Sequence, residues 1–261
     1  MKFDEAIAAI DAGDVPALER LLVDDPRLAR ERLDEPAEGY FARPYLLWFV
    51  AENPVRNGKL PPNIVEVTRA ILRAAPHAQE TLDYTVELVA TGRVPRECGV
   101  QLALIDALMD AGAQPRGLHI SLAHHEIEAA KHLLARGAEL TLAAAICLGL
   151  PDKVARLAKT PQDLQTAVAA AAFYGDAEAL RLLIGLGADI NANCPAGFHA
   201  HSTPLHQAVY SGSLEAVKVL VEAGADRTAH DRMYDGTPLG WAEYCKQGAI
   251  TEYLSRADRD R

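Results

Sequence analysis

The segment Thr203-Pro204-Leu205-His206 returns thirty-four residues later as Thr237-Pro238-Leu239-Gly240. Each copy begins with a threonine that can cap a helix N-terminus, followed by a proline at the first helical position, where its missing N–H costs nothing. After the first copy, apolar residues recur at helical spacing as far as Gly224, where a helix can end in a left-handed residue. A helix pair with one apolar face cannot bury that face alone, so the pattern predicts repeated pairs that stack on their neighbours.

The letters of the first copy, TPLHQA followed by a second helix that ends in EAGAD, resemble the ankyrin repeat. The resemblance covers residues 167–256 and weakens upstream. It implies an all-α ankyrin-repeat solenoid. It also implies a protein that binds other molecules, because such repeats rarely perform chemistry by themselves.

Gly-Ala pairs at 112–113, 137–138, 187–188 and 224–225 mark the ends of helical segments, with spacings of 25, 50 and 37 residues. A unit of 25 residues has room for two helices but not for the family's β-hairpin finger. The sequence therefore predicts one solenoid over residues 1–261, with divergent helix pairs in 1–112, short fingerless units in 113–188 and family-like units with a C-terminal cap in 189–261. The finger near 189–202 is expected to be long. About eight helix pairs are expected, near residues 1–28, 45–74, 82–111, 117–138, 141–160, 164–188, 203–225 and 237–256.

Charge and composition limit the classes of partner and the cellular compartment that are expected for this protein. The formal net charge is −10, so binding to nucleic acid is not expected, because phosphate neutralisation needs clustered Lys and Arg. The longest apolar stretch, near residues 140–150, is too short to span a bilayer, and the acidic N-terminus does not resemble a secretion signal. The four cysteines have no paired spacing, which favours reduced thiols. We therefore predict a cytoplasmic, monomeric protein with no membrane contact.

An aromatic ladder is the main candidate binding surface. Phe173 and Tyr210 stand two residues before a turn glycine, and Tyr210 and Tyr244 stand seven residues after a motif threonine. In the ankyrin family this position faces the concave groove, and Tyr174, Ser211 and Cys245 occupy the adjoining contact position. The resemblance therefore implies that Phe173, Tyr174, Tyr210, Ser211 and Tyr244 contact a partner, with the aromatics as anchors. The alternative is that the aromatics only pack against one another between units.

A histidine-rich finger supplies the second candidate surface, in which Phe198, His199 and His201 would form the rim of the groove. In an extended strand the two histidines would point the same way, which is a geometry that metals use, and Cys194 could be a further ligand. No matching Cys or His pair completes a recognised spacing, so no metal is assigned. A pH-sensitive or ligand-contacting role suits His199 and His201 better.

Two classes of function follow from these surfaces. The first is a non-catalytic scaffold that holds a segment of a partner protein in its concave groove. The alternative is an enzyme or a small-molecule-binding protein, with a pocket under the finger near His199, His201, Tyr210 and Asp231. The sequence contains no Gly-rich phosphate loop, nucleophile elbow or zinc-finger spacing, so no catalytic residue and no cofactor are assigned.

Overall fold

The structure is a computed structural model that describes residues 2–33, 43–53 and 55–257. Within these ranges the regular structure is helical and no strand is formed; an isolated antiparallel bridge joins Arg32 and Tyr45. The all-α class predicted from the sequence is confirmed. The chain divides into two compact units, residues 1–138 and 139–261. The prediction of one continuous solenoid over residues 1–261 stays a prediction.

The first unit contains a 3₁₀ helix, Leu46–Ala51, and a set of α-helices. The first helices of successive pairs contact one another in a row, and so do the second helices. This two-layer stacking is the arrangement expected of repeated helix pairs, although the repeat motif itself is missing from this part of the sequence. In chain order the α-helices are α1 (Lys2–Ala12), α2 (Val15–Asp24), α3 (Arg27–Arg30), α4 (Ile64–Ala74), α5 (Gln79–Ala90), α6 (Arg93–Glu97), α7 (Gln101–Asp110), α8 (Leu118–Ala123) and α9 (Ile127–Ala135).

The helices of the first unit stack in two rows. One row runs through α1, the 3₁₀ helix, α5 and α8, and the other through α2, α4, α7 and α9. All six residues of the 3₁₀ helix are buried. The sequence predicted an ordinary helix there, but the segment is short and ends at Glu52 in the left-handed region, with φ 53°. The 3₁₀ form is used mainly in short helical pieces, and this run of six residues is longer than most.

The second unit stacks four helix pairs in the same way. Helices α10, α12, α14 and α16 form one row, and α13, α15 and α17 follow one another in the other row. Leucine, valine and alanine side chains fill the space between pairs, including Leu205, Val217 and Leu220, which have no exposed surface. The helices are α10 (Leu142–Cys147), α11 (Pro151–Leu157), α12 (Pro161–Phe173), α13 (Ala177–Gly185), α14 (Pro204–Ser211), α15 (Leu214–Glu222), α16 (Pro238–Tyr244) and α17 (Gly248–Ala257).

The loops between pairs follow the predicted lengths. Residues 136–141 and 158–160 are short connections, whereas residues 186–203 and 223–237 are long. The long loops are held by backbone hydrogen bonds and not by paired strands: Cys194 N donates to Ser202 O over 2.8 Å, and Arg232 N donates to His201 O over 2.7 Å. The second bond joins one finger to the next. Gly224, at φ 91°, ends α15 in the left-handed conformation that the sequence predicted.

None of the helices in the described ranges combines the length and the apolar character that a membrane crossing requires.

Candidate binding cleft in the C-terminal unit

The second unit has a cleft of about 620 Å³ between the ends of α14 and α16 and the two fingers. We call it the Tyr210 cleft. Aromatic and histidine side chains dominate its wall. The residues that line it are His199, His201, Gln207, Tyr210, Tyr234, Gly236, Gly240, Trp241, Tyr244 and Cys245. The cleft therefore brings together four of the eight residues that the sequence predicted as contacts, namely His199, His201, Tyr210 and Tyr244.

The aromatic ladder divides into an exposed part and a buried part. Tyr210 is 54% exposed and Tyr244 is 88% exposed, and both line the same cleft; grouped exposed apolar surface of this kind marks interaction sites. Phe173 is only 4% exposed and stacks on Tyr210, with ring centroids 5.9 Å apart and planes inclined by 6°. The His199 ring also contacts Phe173, with ring centroids 4.8 Å apart. Phe173 thus supports Tyr210 from below, and the prediction that it presents its own surface to a partner does not fit its burial.

Tyr174 and Ser211, the predicted neighbours of the ladder, lie outside the cleft lining. Ser211 Oγ donates to Ala208 O over 2.7 Å and accepts from Ser213 N over 3.2 Å, so it stabilises the turn between α14 and α15. Burial raises the pKa of the Tyr174 phenol, and a hydrogen bond with Cys147 adds to the shift. Both side chains therefore serve local structure, and a contact with a partner stays a prediction for each.

In the histidine-rich finger, Phe198 is more deeply buried than His199 and His201. Phe198 is 1% exposed, so its side chain anchors the finger and cannot form the rim that the sequence predicted. His199 adopts φ 54°, a left-handed conformation in which histidine is enriched among non-glycine residues. The His199 and His201 rings are 6.1 Å apart and nearly perpendicular, at 89°. The His201 ring also lies 5.9 Å from that of Trp241.

Six residues of the cleft lining were not among the eight predicted contacts, and two of them, Gln207 and Trp241, had a signal in the sequence. Gln207 and Trp241 each stand four residues after a motif threonine, three residues before Tyr210 and Tyr244. Residues three apart on a helix share a face, so the fourth position belongs with the seventh. Tyr234, 74% exposed, lies in a finger whose length is ordinary, and its position gave no comparable signal.

Asp231, which the enzymatic alternative placed in the pocket, organises the last finger. Its carboxylate accepts hydrogen bonds from Met233 N and Tyr234 N at 2.9 and 2.8 Å, and from Gly236 N and Trp241 Nε1 at 2.9 Å each. Burial alone would raise the pKa of this carboxyl, but these donors outweigh it and hold the pKa well below its usual range. Because all four bonds hold structure together, Asp231 is a positioning residue for Trp241 and the finger.

His206 braces the same finger from the helix side. Its Nδ1 accepts from Thr203 N over 3.3 Å, and its Nε2 donates to Gly236 O over 3.0 Å. Burial lowers the pKa of this imidazole. A neutral ring with one donor and one acceptor nitrogen matches both bonds, so His206 is a structural residue beside the cleft.

The absence of a metal at the histidine-rich finger stays a prediction. Across the described ranges, no three His, Cys, Asp or Glu side chains are grouped in a way that could hold a metal ion. Cys194 is buried, and burial raises the pKa of its thiol to about 12, which opposes the thiolate that zinc requires. We expect untagged protein to contain well under one equivalent of zinc by elemental analysis. One equivalent that disappears in a His199→Ala, His201→Ala double variant would contradict this prediction.

A family model described as ankyrin repeats (3 copies) matches residues 142–231 and 168–260. The matched region coincides with the stacked pairs of the second unit, so the helix pairs of this unit are ankyrin repeats. Ankyrin repeats generally mediate protein–protein interactions. No curated protein matches the sequence.

Proposed function

We propose that this protein is a non-catalytic scaffold that binds a segment of a partner protein, with the Tyr210 cleft as its principal anchor site. The observation that carries the proposal is the exposure of Tyr210 and Tyr244, two large rings held at equivalent positions of neighbouring repeats. Aromatic side chains are enriched among the residues that dominate binding energy, because they bury much area at a low entropic cost. In the family this position lines the concave groove.

Side chains beneath the Tyr210 cleft hold its wall in place, which favours a preformed site. Phe173 stacks under Tyr210, and the Asp231 carboxylate fixes the indole of Trp241 through its Nε1–H. A rigid wall loses little conformational entropy when a partner binds. The natural occupant is an apolar or aromatic side chain of an extended segment, with His199 and His201 at the edge to contact its backbone.

We further propose that the partner is a protein and not a nucleic acid, and that the scaffold acts as a monomer in the cytoplasm. The net charge of −10 disfavours contact with phosphates and mildly favours a partner with basic groups. The four cysteines, all free thiols, suit a reducing compartment.

Alanine variants of the exposed rings test the proposal. We expect Tyr210→Ala and Tyr244→Ala each to weaken partner binding by about 2 kcal/mol or more, while the melting temperature changes little. Phe173→Ala should instead lower the free energy of unfolding by about 3 kcal/mol, because it leaves a cavity under Tyr210. Leu182→Ala, at a residue 46% exposed on α13, is the matched control and should alter neither quantity.

A defined probe makes this test independent of the natural partner. Peptides selected from a random displayed library on the wild-type protein would be measured against each variant by calorimetry. Loss of binding in the tyrosine variants alone supports the cleft. Peptides that bind the Tyr210→Ala, Tyr244→Ala double variant as tightly as the wild type would refute it, as would early unfolding of both single variants with normal binding once folded.

A small-molecule ligand is the second candidate, because a volume of about 620 Å³ with an aromatic wall falls in the range of small-molecule sites. It predicts that a compound from a metabolite library raises the melting temperature of the wild type but not that of Tyr244→Ala. An enzymatic role would require turnover of that compound in addition.

A further inference from the structure

A second cleft, of about 380 Å³, lies within the first unit and plays no part in the proposed function. We call it the Trp48 cleft. Aromatic rings and carboxylates share its wall. Its lining includes Arg32, Tyr45, Trp48, Glu80, Tyr84 and Glu87.

Three aromatic rings of this cleft form a connected group. The Tyr45 and Trp48 rings meet edge to face at 5.3 Å, and the Trp48 and Tyr84 rings are 4.8 Å apart. The guanidinium of Arg32 lies over two of them, 4.9 Å from the Tyr45 centroid and 5.5 Å from the Trp48 centroid. Both distances fall within the reach of a cation–π interaction. The chain therefore already places a guanidinium of its own in this cleft.

Apart from Arg32, the charged side chains of the Trp48 cleft favour a bound cation. The Asp83 carboxylate is occupied, since it accepts from Gln79 Nε2 and Gln114 N at 2.7 Å each and pairs with Arg116 Nε at 3.2 Å. Glu80 and Glu87 remain as the other acidic groups of the lining. Burial raises the pKa of Glu87, and a bound cation would oppose this shift by stabilising the charged carboxylate.

Trp48 contributes an indole N–H as a hydrogen-bond donor. The residue is 7% exposed, and its Nε1 is buried with no hydrogen-bond acceptor among the described residues. A buried donor left unpaired costs free energy that a ligand acceptor can recover. A peptide segment that carries an arginine would supply a guanidinium for the rings and carboxylates, and its backbone carbonyls would be candidate acceptors for the indole N–H.

We propose that the Trp48 cleft binds an arginine side chain of a partner protein, and that Arg32 is its internal occupant. The backbone of Arg32 forms the isolated bridge with Tyr45, whereas its side chain is exposed, so the guanidinium can leave the rings without disturbing the core. While it stays, it competes with the incoming arginine. The apparent affinity is reduced by the fraction of molecules in which the rings are covered.

The competition gives a direct test with a defined probe, the peptide Ac-Gly-Gly-Arg-Gly-Gly-NH₂, in an NMR titration of ¹⁵N-labelled protein. The matched probe replaces arginine by citrulline, which has nearly the same shape and no charge. The chain has two tryptophans, so two indole N–H signals are expected, and a Trp48→Phe variant assigns them. The arginine peptide should shift the Trp48 signal, and Arg32→Ala should tighten its binding about tenfold.

Two further variants separate the parts of the site. Glu80→Gln with Glu87→Gln, in the Arg32→Ala background, should weaken the arginine peptide about tenfold while circular dichroism stays unchanged. Trp48→Phe should weaken it severalfold, because a phenyl ring is a weaker cation–π partner than the indole and the N–H donor is lost. If Arg32→Ala does not tighten binding, or if the citrulline peptide binds as well as the arginine peptide, the proposal is refuted. Tyr210 and Tyr244 variants should leave this binding intact, which distinguishes it from the proposed function.

Discussion

Ending the chain after Asp226 should leave a protein that aggregates or melts far below the full-length chain. The deletion removes α16 and α17, which pack on α14 and α15. It uncovers Leu205, Val217 and Leu220, which have no exposed surface in the complete unit. Each such side chain is stabilised by about 1.5–3 kcal/mol when buried, and a solenoid needs a terminal repeat to shield its last apolar face. Size-exclusion chromatography and thermal denaturation measure the effect.

A pair of leucine variants tests the same interface without shortening the chain. Leu254 of α17 is 1% exposed, whereas Leu186, after α13, is 46% exposed. Leu254→Ala should lower the free energy of unfolding by about 2–4 kcal/mol, and Leu186→Ala by less than about 0.5 kcal/mol. A truncated protein that stays monomeric with an unchanged melting temperature would show that the last pair is not a cap.

The pairs that carry the threonine–proline motif were predictable because local chemistry marks both of their ends. The pair predicted at 237–256 is observed as Pro238–Tyr244 and Gly248–Ala257. The same chemistry also marks the start of helix α12, which was predicted too late in the chain. Helix α12 begins at Pro161 and not at 164, behind Thr160, whose hydroxyl accepts from Asp163 N over 3.1 Å. Thr160-Pro161 is the same dipeptide that opens α14 and α16.

The first unit was harder to predict because its short elements have no periodicity. Every residue from Leu46 to Ala51 is apolar, so the pattern indicates burial but cannot distinguish an α-helix from a 3₁₀ helix. The short helices α3 and α6 are four and five residues long, below the length at which a helical period can be recognised. The stacking of the two rows depends on contacts between residues far apart in the sequence.

In the Tyr210 cleft, sequence position predicted the exposed rings but not their support. Counting from the motif threonine identifies Tyr210 and Tyr244 because neighbouring repeats have the same geometry. Whether an aromatic at that position is open depends on what the next finger places over it. Phe173 is covered because His199 and Tyr210 pack on its ring, and that finger exceeds the standard length. No periodic rule describes an insertion of this kind.

The second large effect is expected at Asp231, where Asp231→Asn should lower the free energy of unfolding by about 2–4 kcal/mol at neutral pH. The asparagine oxygen can still accept from Met233 N and Tyr234 N. Its NH₂ group would then face Gly236 N–H and Trp241 Nε1–H, so two donors lose their acceptor and meet another donor. The indole should loosen, and binding at the Tyr210 cleft should weaken with it.

Asp235→Asn is the matched control for this variant. Asp235 lies in the same finger, its side chain is 90% exposed, and its φ of 54° suits asparagine. It should change the free energy of unfolding by less than about 0.5 kcal/mol. Equal stability of the two variants in urea denaturation would show that the carboxylate of Asp231 does not hold the finger.

The pH dependence of the Asp231 variant separates an electrostatic cause from a packing cause. The folded-state pKa of Asp231 lies below its unfolded value, so its contribution is fully present above the unfolded pKa of about 4 and is lost as the pH falls below it. The asparagine cannot titrate. The difference in the free energy of unfolding between wild type and Asp231→Asn should therefore be constant from pH 7 to 5 and narrow steadily below pH 4. A difference that persists unchanged at pH 2.5 would mean that the variant disturbs packing, and that the low pKa of this carboxyl does not stabilise the fold.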